Sequence, residues 1–214
     1  DLTDLSRGIV QLLQGRIYHY LGDYPKTLMC LESSLLHLRR YYKQKNHVRI
    51  ASTLTHLGII YKVFGCFEKS KNYLEEGMSV YAKNKFQEQK EINWTYMHLG
   101  NTYSMLGLYK KAEQILDRAT KFYDSSYSNL CAETGWAFSY RADLYNMLGN
   151  YKEAKYFYEK SLEMCQKFYP PSYNISIWVL LRSMNNKRKL GDYKNIEKTF
   201  INSLKSLKKN FKRC

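Results

Sequence analysis

Apolar residues recur at helical spacing along nearly the whole chain, and short polar turns interrupt them at regular intervals. Each turn places a glycine between a Leu or Phe and a second aromatic or apolar residue, as in Leu21-Gly22-Asp23-Tyr24 and Leu148-Gly149-Asn150-Tyr151. The turn glycines are Gly22, Gly65, Gly107, Gly149 and Gly191, spaced 43, 42, 42 and 42 residues apart. Because glycine adopts the left-handed conformation that ends a helix, the pattern predicts pairs of helices joined by tight turns.

A second set of small residues keeps the same register. Seven residues before each turn glycine stand Gly15, Gly58, Gly100, Ala142 and Met184, and five residues after it stand Thr27, Ser70, Ala112, Ala154 and Ile196. A large residue follows the second small one by four positions, as with Leu116 after Ala112. Small residues on both helices let their backbones approach closely, while the large residue fills the space beside the contact. We therefore expect antiparallel helix hairpins that stack on one another, since one hairpin cannot bury its own apolar face.

The register divides the chain into five copies of one unit. We predict a single all-α domain over residues 1–214, with repeats at approximately 8–49, 50–91, 92–133, 134–175 and 176–210 and a basic tail at 211–214. Met184 and Ile196 replace small residues in the last copy, as expected of a terminal repeat.

The repeat, G-x2-Y followed by the L-G-x-Y turn and A-x3-[LYF]-x2-[AS], resembles the tetratricopeptide repeat (TPR) family. The third and fourth copies match best, from Leu99-Gly100-Asn101-Thr102-Tyr103 to Ala119 and from Leu144-Tyr145 to Ser161. The 42-residue period resembles that of the kinesin-light-chain subclass, although peptide-pheromone receptors and cell-polarity adaptors use similar lengths. The resemblance implies a right-handed superhelical α-solenoid that binds peptides in a concave groove.

In that family the first helix of each hairpin lines the groove. The resemblance therefore implies groove positions one and four residues after the first small residue. They carry Arg16 and His19, Ile59 and Lys62, Asn101 and Ser104, Asp143 and Asn146, and Asn185 and Arg188. Asn side chains can pair with both N–H and C=O groups of an extended peptide. The alternative is that these residues form an ordinary solvated helix surface.

Three tryptophans, Trp94, Trp136 and Trp178, share one register position, six residues before the small residue. They can contact a ligand or wedge between adjacent repeats, and both interpretations stay open at this point.

The net charge of +15 is concentrated near the C-terminus. Residues 177–214 contain 11 Lys and Arg against 2 Asp and Glu, whereas residues 92–135 contain 4 of each. A groove that tracks a nucleic-acid backbone should be basic throughout, so this distribution favours a protein or peptide partner with acidic segments. The alternatives are an RNA-binding or nucleic-acid-binding TPR module that uses its basic ends, or a peptide-sensing regulatory domain of a larger protein.

No constellation of catalytic residues is apparent, and we expect a non-enzymatic scaffold or adaptor without cofactor or metal. His56 and His98 occupy the same repeat position, which indicates a scaffold role. The five cysteines are widely separated, and no apolar run reaches the length of a membrane span. An odd cysteine count without a secretion signal is typical of a cytoplasmic protein.

Overall fold

The computed structural model describes residues 2–43, 46–83, 89–125, 133–168, 174–197 and 200–201. In these ranges the regular elements are all α-helices, without strands; residues 193–197 and 200–201 are helical, and nine longer helices precede them. The nine longer helices are α1 Leu2–Leu21, α2 Tyr24–Tyr41, α3 Val48–Val63, α4 Phe67–Lys83, α5 Gln89–Met105, α6 Tyr109–Ser125, α7 Glu133–Met147, α8 Tyr151–Phe168 and α9 Asn174–Lys189. The all-α fold of helix-turn-helix repeats predicted from the sequence is confirmed. The predicted basic tail at 211–214 lies outside the described residues.

The turn between the helices of each hairpin has the same backbone in every copy. All five turn glycines have positive φ, between 73° and 79°. At the first turn, the Gly22 N–H donates to the carbonyl of His19 and the Asp23 N–H to that of Tyr18. The Asp23 side chain then caps α2 by accepting from the Lys26 N–H at 3.2 Å. The turn is therefore fixed by glycine conformation and local hydrogen bonds.

The helices of a hairpin cross at the small residues. A Cβ added at Gly58 of α3 would lie 2.5 Å from Leu74 Cγ and 3.1 Å from the Ser70 carbonyl oxygen of α4. Ala154, at the equivalent second-helix position to Ser70, is fully buried in α8. The backbone approach is close enough that side-chain volume at these positions is tightly limited.

The chain divides into two compact units, Asp1–Gly107 and Leu108–Cys214. In unit 1, α1 packs on α2, α3 on α4, and each following first helix on the preceding hairpin. Its core includes Leu31, Leu38 and Leu54, each at most 1% exposed. In unit 2, α6 packs on α7, α7 on α8, and α9 on α8, around a core that includes Tyr158 and Val179. Each unit therefore has its own hydrophobic core.

Hydrogen bonds between consecutive repeats repeat as regularly as the turns. In unit 1 the hydroxyls of Tyr61 and Tyr103 donate to Glu32 at 2.9 Å and to Glu75 at 2.7 Å, each carboxylate belonging to the preceding second helix. In unit 2 Arg141 of α7 forms an ion pair with Asp117 of α6 at 3.0 Å. These side chains fix how one hairpin stacks on the next.

Candidate peptide-binding face

In each unit the candidate site is one face of that unit's first helices. This face carries four positions of the repeat, which lie six and two residues before the first small residue and one and four residues after it. Steps of four, three and three residues keep side chains on one side of an α-helix. In unit 1 this face carries a group of basic and imidazole side chains from three helices, which we call the cationic cluster. Its members are Arg16 and His19 of α1, His56 and Lys62 of α3, and His98 of α5.

Lys62 and His98 are in direct contact within the cationic cluster. The Lys62 ammonium lies 2.9 Å from Nδ1 of His98, and the His98 side chain is 5% exposed. An ammonium group can only donate, so His98 accepts at Nδ1 and carries its proton on Nε2. The contact requires a neutral imidazole.

The imidazoles of the cluster are held neutral by burial and by neighbouring cations. Burial lowers the pKa of His56 to about 3, helped by the charge of Arg16 and by His19. Burial, followed by the charge of Lys62, also lowers the pKa of His98 well below its ordinary value and that of His19 below its ordinary value. The positive charge of this face near pH 7 therefore comes from Arg16 and Lys62.

Arg16 is exposed on the surface of α1. Within the described part of the chain, no carboxylate forms an ion pair with it. Because guanidinium presents several N–H donors in a fixed plane, this side chain is suited to bind a carboxylate or another anion from a ligand.

Asn101 and Ser104, the groove positions predicted on α5, are buried. Asn101 is 7% exposed and Ser104 is 2% exposed. The Ser104 hydroxyl donates to the Gly100 carbonyl one turn earlier, at 3.0 Å. Ligand contact at these two positions stays a prediction, and the more accessible predicted positions of unit 1 belong to α1 and α3.

The three equivalent tryptophans differ in exposure. Trp94 is half-buried and packs edge-on against His98, with ring centroids 4.5 Å apart. Trp136 is also half-buried, beside Tyr140 at 5.7 Å. Trp178 is 56% exposed. Among the three, Trp178 therefore offers the largest accessible surface to a ligand.

In unit 2 the same face carries charged groups that are paired with one another. Arg182 of α9 forms an ion pair with Asp143 of α7, and the Tyr158 hydroxyl donates to the same carboxylate at 2.6 Å. Burial, followed by the Asp143 charge, raises the pKa of Tyr158, so its hydroxyl remains a donor. The negative charge of Asp143, 8% exposed, is thus neutralised within the unit.

The remaining predicted positions of unit 2 are partly or fully exposed, and each bonds to another side chain. Asn146 accepts from the Lys189 ammonium at 3.0 Å, and Asn185 accepts from the Arg188 guanidinium at 3.2 and 3.3 Å. These contacts are exposed and weak enough for a ligand to replace them. The structure brings together Arg16, His19 and Lys62 in unit 1, and Asn146, Asn185, Arg188 and Trp178 lie on α7 and α9 in unit 2.

Sequence reasoning missed one position of this face, two residues before the small residue. It carries His56, His98, Tyr140 and Arg182. Of these, only His56 and His98 are assigned a role by the sequence analysis, a scaffold role inferred from their equivalence. The available signal was the spacing, since this position lies four residues after the tryptophan position and three before the first predicted groove position.

Comparisons with known proteins agree with the repeat pattern. Residues 91–167 match the tetratricopeptide repeat family model, while no curated protein matches the chain.

Among the described residues, no group of three or more His, Cys, Asp and Glu side chains could hold a metal ion. Over the same residues, every helix is too short or too polar to traverse a lipid bilayer.

Several solved structures are similar to the chain over most of its length. The structure of BtubC (BKLC) from P. vanneervenii has a TM-score of 0.73 and 14% identity, covering 94% of this chain and 81% of that one. A putative kinesin light chain with nearly identical TPR-like repeats from Podosopora anserina has a TM-score of 0.72 and 15% identity, covering 97% of both chains. A Rap protein complexed with competence and sporulation factor has a TM-score of 0.81 and 14% identity, covering 96% of this chain and 55% of that one. Residues 91–167 therefore match the tetratricopeptide repeat family, and over most of its length the chain has the fold of kinesin-light-chain-like repeat structures.

Proposed function

We propose that the chain is a non-enzymatic scaffold that binds an extended peptide or protein segment with acidic side chains. The observation that carries the proposal is the cationic cluster of unit 1, in which Arg16 is exposed and free of acidic partners among the described residues. The ligand would lie along α1 and α3, with one carboxylate on Arg16 and another near Lys62. The proposed setting is the cytoplasm, where the exposed thiol of Cys66 stays reduced.

The side chains of the cationic cluster favour a carboxylate over other chemical groups of a ligand. Guanidinium pairs with a carboxylate through two parallel hydrogen bonds, and an ammonium group adds a point charge. His19 and His56, neutral near pH 7, leave an N–H available without adding charge. Since surface ion pairs contribute about 0–1 kcal/mol each, we expect fast, salt-sensitive association and modest affinity from this cluster alone.

Unit 2, by itself, would offer a ligand a different type of contact. Trp178, more than half exposed, can anchor an apolar ligand side chain. Asn146 and Asn185 would exchange their present partners, Lys189 and Arg188, for the amide groups of a ligand backbone. Similarity to the Rap protein, whose structure holds competence and sporulation factor, supports ligand binding on this fold but identifies no ligand here.

The test compares two peptide pools on the purified chain. One is a fluorescein-labelled pool of extended decapeptides rich in Asp and Glu, and the other replaces every Asp and Glu by Asn and Gln. We expect tighter binding of the acidic pool, measured by fluorescence anisotropy at low and physiological salt. The variant Arg16→Glu/Lys62→Glu should lose that preference by roughly tenfold or more, because two attractive contacts become repulsive.

A matched variant controls for net charge. Lys110 and Lys152 are exposed on the second helices α6 and α8, so Lys110→Glu/Lys152→Glu makes the same charge change away from the first-helix face. It should retain most of the acidic-pool affinity. Equal loss in both double variants would mean that total charge, not the cluster, attracts the ligand. Binding of random single-stranded RNA as tightly as the acidic pool would likewise contradict the proposal and favour a nucleic-acid partner.

A further inference from the structure

The hairpin ends of unit 2 carry apolar and basic side chains that face solvent. Six residues, which we call the turn-end patch, lie within three positions of a turn glycine: Leu108, Lys110, Met147, Leu148, Lys152 and Lys194. The three apolar members are between 38% and 43% exposed, and the three lysines are also exposed. Because a helix rises about 1.5 Å per residue, all six lie within about 5 Å of a hairpin end along the helix axis.

The ends of consecutive hairpins lie side by side in unit 2. The ammonium of Lys189, in the last hairpin, lies 5.1 Å from the Tyr151 ring at the end of the preceding hairpin. It also donates to Asn146 of that hairpin end at 3.0 Å. One repeat earlier, the hydroxyl of Tyr145 in α7 donates to Glu113 of α6 at 3.4 Å. The members of the turn-end patch therefore lie along one edge of the unit.

Stacking of further repeats would leave this edge uncovered. Within unit 2, α7 packs on α6 of the preceding repeat and α8 packs on α9 of the following one. Met147 and Leu148 are 43% and 39% exposed with both neighbours in place. In unit 1 the equivalent residues Val63 and Phe64 are 46% and 45% exposed, again with helices packed on either side. Exposure at the hairpin end is thus a property of this repeat position.

The stability of the helices does not explain the lysines. Lys110 and Lys152 are the second residues of α6 and α8, and Lys194 holds the equivalent position after the last turn. The first turn is the positive end of the helix dipole, where an acidic side chain stabilises the helix and a cation does not. In the described part of unit 2, none of the three lysines forms an ion pair with a carboxylate. Pro25 and Glu68 hold this position in unit 1 and suit a helix start, so three successive lysines indicate a role outside the fold.

This mixture of groups fits a lipid surface better than a protein or a nucleic acid. Aliphatic side chains enter the boundary between head groups and acyl chains, while lysines reach the head groups on flexible stems. Lysine is depleted in protein–protein interfaces, and nucleic-acid grooves use aromatic rings where this patch has Leu and Met. Within three residues of its turn glycines, unit 2 has five Lys or Arg and one acidic residue, Asp192. The edge is therefore complementary in charge to anionic lipid head groups.

From these features we infer that the turn-end patch binds the surface of an anionic lipid bilayer. Leu108, Met147 and Leu148 enter the layer between head groups and acyl chains, and the lysines pair with the lipid phosphates and carboxylates. The helices of unit 2 then stand end-on to the bilayer, so their sides remain accessible. This attachment is peripheral and is separate from binding of an acidic segment near Arg16 and Lys62.

Vesicle flotation with the purified full chain tests the charge contribution. Vesicles of phosphatidylcholine alone are compared with vesicles in which about a third of the lipid is phosphatidylserine. We expect the chain to float with the anionic vesicles and to stay at the bottom with the neutral ones. Lys110→Glu/Lys152→Glu should weaken anionic-vesicle binding roughly twentyfold or more, since each lysine near an anionic surface strengthens binding roughly fivefold.

A matched variant makes the same charge change at the other end of the same helices. Lys121 of α6 and Lys167 of α8 are exposed and lie 11 and 15 residues after Lys110 and Lys152. These separations are about 16 and 22 Å along the helix axes, whereas charges are screened over about 8 Å at physiological salt. Lys121→Glu/Lys167→Glu should therefore keep most of the vesicle binding.

Met147→Gln tests the apolar contribution at constant charge. Gln has a similar length and helix propensity, so the change removes mainly apolar surface from the hairpin end. We expect several-fold weaker binding to anionic vesicles, with the largest loss at high salt, where attraction between charges is screened. The control is Leu181→Gln, which changes a 53% exposed residue ten positions before the last turn glycine and should bind as the wild type does. Circular dichroism melting verifies that each variant is folded.

Three results would overturn the inference. The first is equal binding, or none, to neutral and anionic vesicles. The second is an equal loss in both double-lysine variants, which would assign the attraction to total charge. The third is full binding of Met147→Gln at every salt concentration, which would make a soluble polyanion the fitting partner.

The acidic peptide pool separates this inference from the proposed function. Lys110→Glu/Lys152→Glu should lose vesicle binding and keep peptide binding. Arg16→Glu/Lys62→Glu should lose peptide binding and keep as much vesicle binding as the Lys121→Glu/Lys167→Glu control. Either activity can therefore fail without the other.

Discussion

Gly58 provides the sharpest test of the helix crossing. Replacing it by Ala adds one methyl group, 2.5 Å from Leu74 Cγ, 2.9 Å from Leu74 Cδ2 and 3.1 Å from the Ser70 carbonyl oxygen. Cγ is the branch point of the Leu74 side chain and the Ser70 oxygen belongs to backbone, so neither can move away without shifting α4. Overpacking of this kind typically lowers the free energy of unfolding by about 1–3 kcal/mol, and displacement of the α4 backbone lowers it further.

Helix propensity acts in the opposite direction. Gly to Ala in a helix interior stabilises by about 1 kcal/mol. We expect a net loss of about 1–2 kcal/mol for Gly58→Ala, which at about 2–4 °C per kcal/mol is a measurable fall in the melting temperature. Circular dichroism during thermal and urea unfolding gives the change directly.

Gly77 of α4 is the matched control. A Cβ there would lie 3.3 Å from the Ala51 carbonyl oxygen and from Thr55 Oγ1, contacts that are tight but less severe. Its equivalent positions in the other copies already carry a Cβ, since Ser34 and Ser161 are fully buried there. Gly77→Ala gains the same helix propensity, so we expect stability within about 1 kcal/mol of the wild type.

Leu74 gives an internal check on the cause. Leu74→Ala leaves a cavity and should cost about 2–5 kcal/mol on its own. If the added methyl group clashes with Leu74, then Gly58→Ala combined with Leu74→Ala should cost clearly less than the sum of the single changes. A Gly58→Ala protein as stable as the wild type would refute the close crossing and the register deduced from it.

Two further predictions concern the core and the histidines. Ala154→Arg should unfold unit 2, because Ala154 is fully buried and a long charged side chain cannot fit there. The control Glu153→Arg changes the preceding, exposed residue and should melt near the wild-type temperature. A folded Ala154→Arg protein would contradict this packing. His56 has a pKa of about 3 in the folded chain against an ordinary 6.5, so the unfolded chain binds more protons below pH 6.5. Stability should therefore fall as the pH drops from 6.5 toward 3, by up to about 1.4 kcal/mol per pH unit from this residue, and urea unfolding of His56→Gln at pH 7 and pH 5 should show a smaller fall than the wild type. Equal falls would mean that His56 is accessible to protons in the folded state.

The fold was predictable because its determinants recur in the sequence. The spacing of Gly107 and Gly149 predicts the turns between helices. The spacing of Gly58 and Leu74 predicts where the two helices of a hairpin cross. The secondary structure of a single segment is ambiguous, but the same pattern in five copies removes that ambiguity. Local sequence is sufficient here since every repeat contacts mainly its neighbours.

The candidate site was less predictable because accessibility depends on three-dimensional packing. Asn101 and Arg16 share a repeat position, yet Asn101 is 7% exposed while Arg16 lies on the surface. Arg182 and Asp143, 39 residues apart, pair through the stacking of α9 on α7 and α8. Such pairings join different repeats, and no spacing within one repeat reveals them.

The small residues at the helix crossings and the side chains of the first-helix face occupy different positions of the repeat. In unit 1 the crossing depends on Gly58, Ser70 and Leu74, whereas the cluster around Arg16 and Lys62 shares none of them. Ligand preference there can diverge, or be redesigned, by substitutions that leave the folding determinants untouched. Unit 2 has less of this freedom, because Asp143 serves both functions: its carboxylate lies on the face and also holds the buried Tyr158.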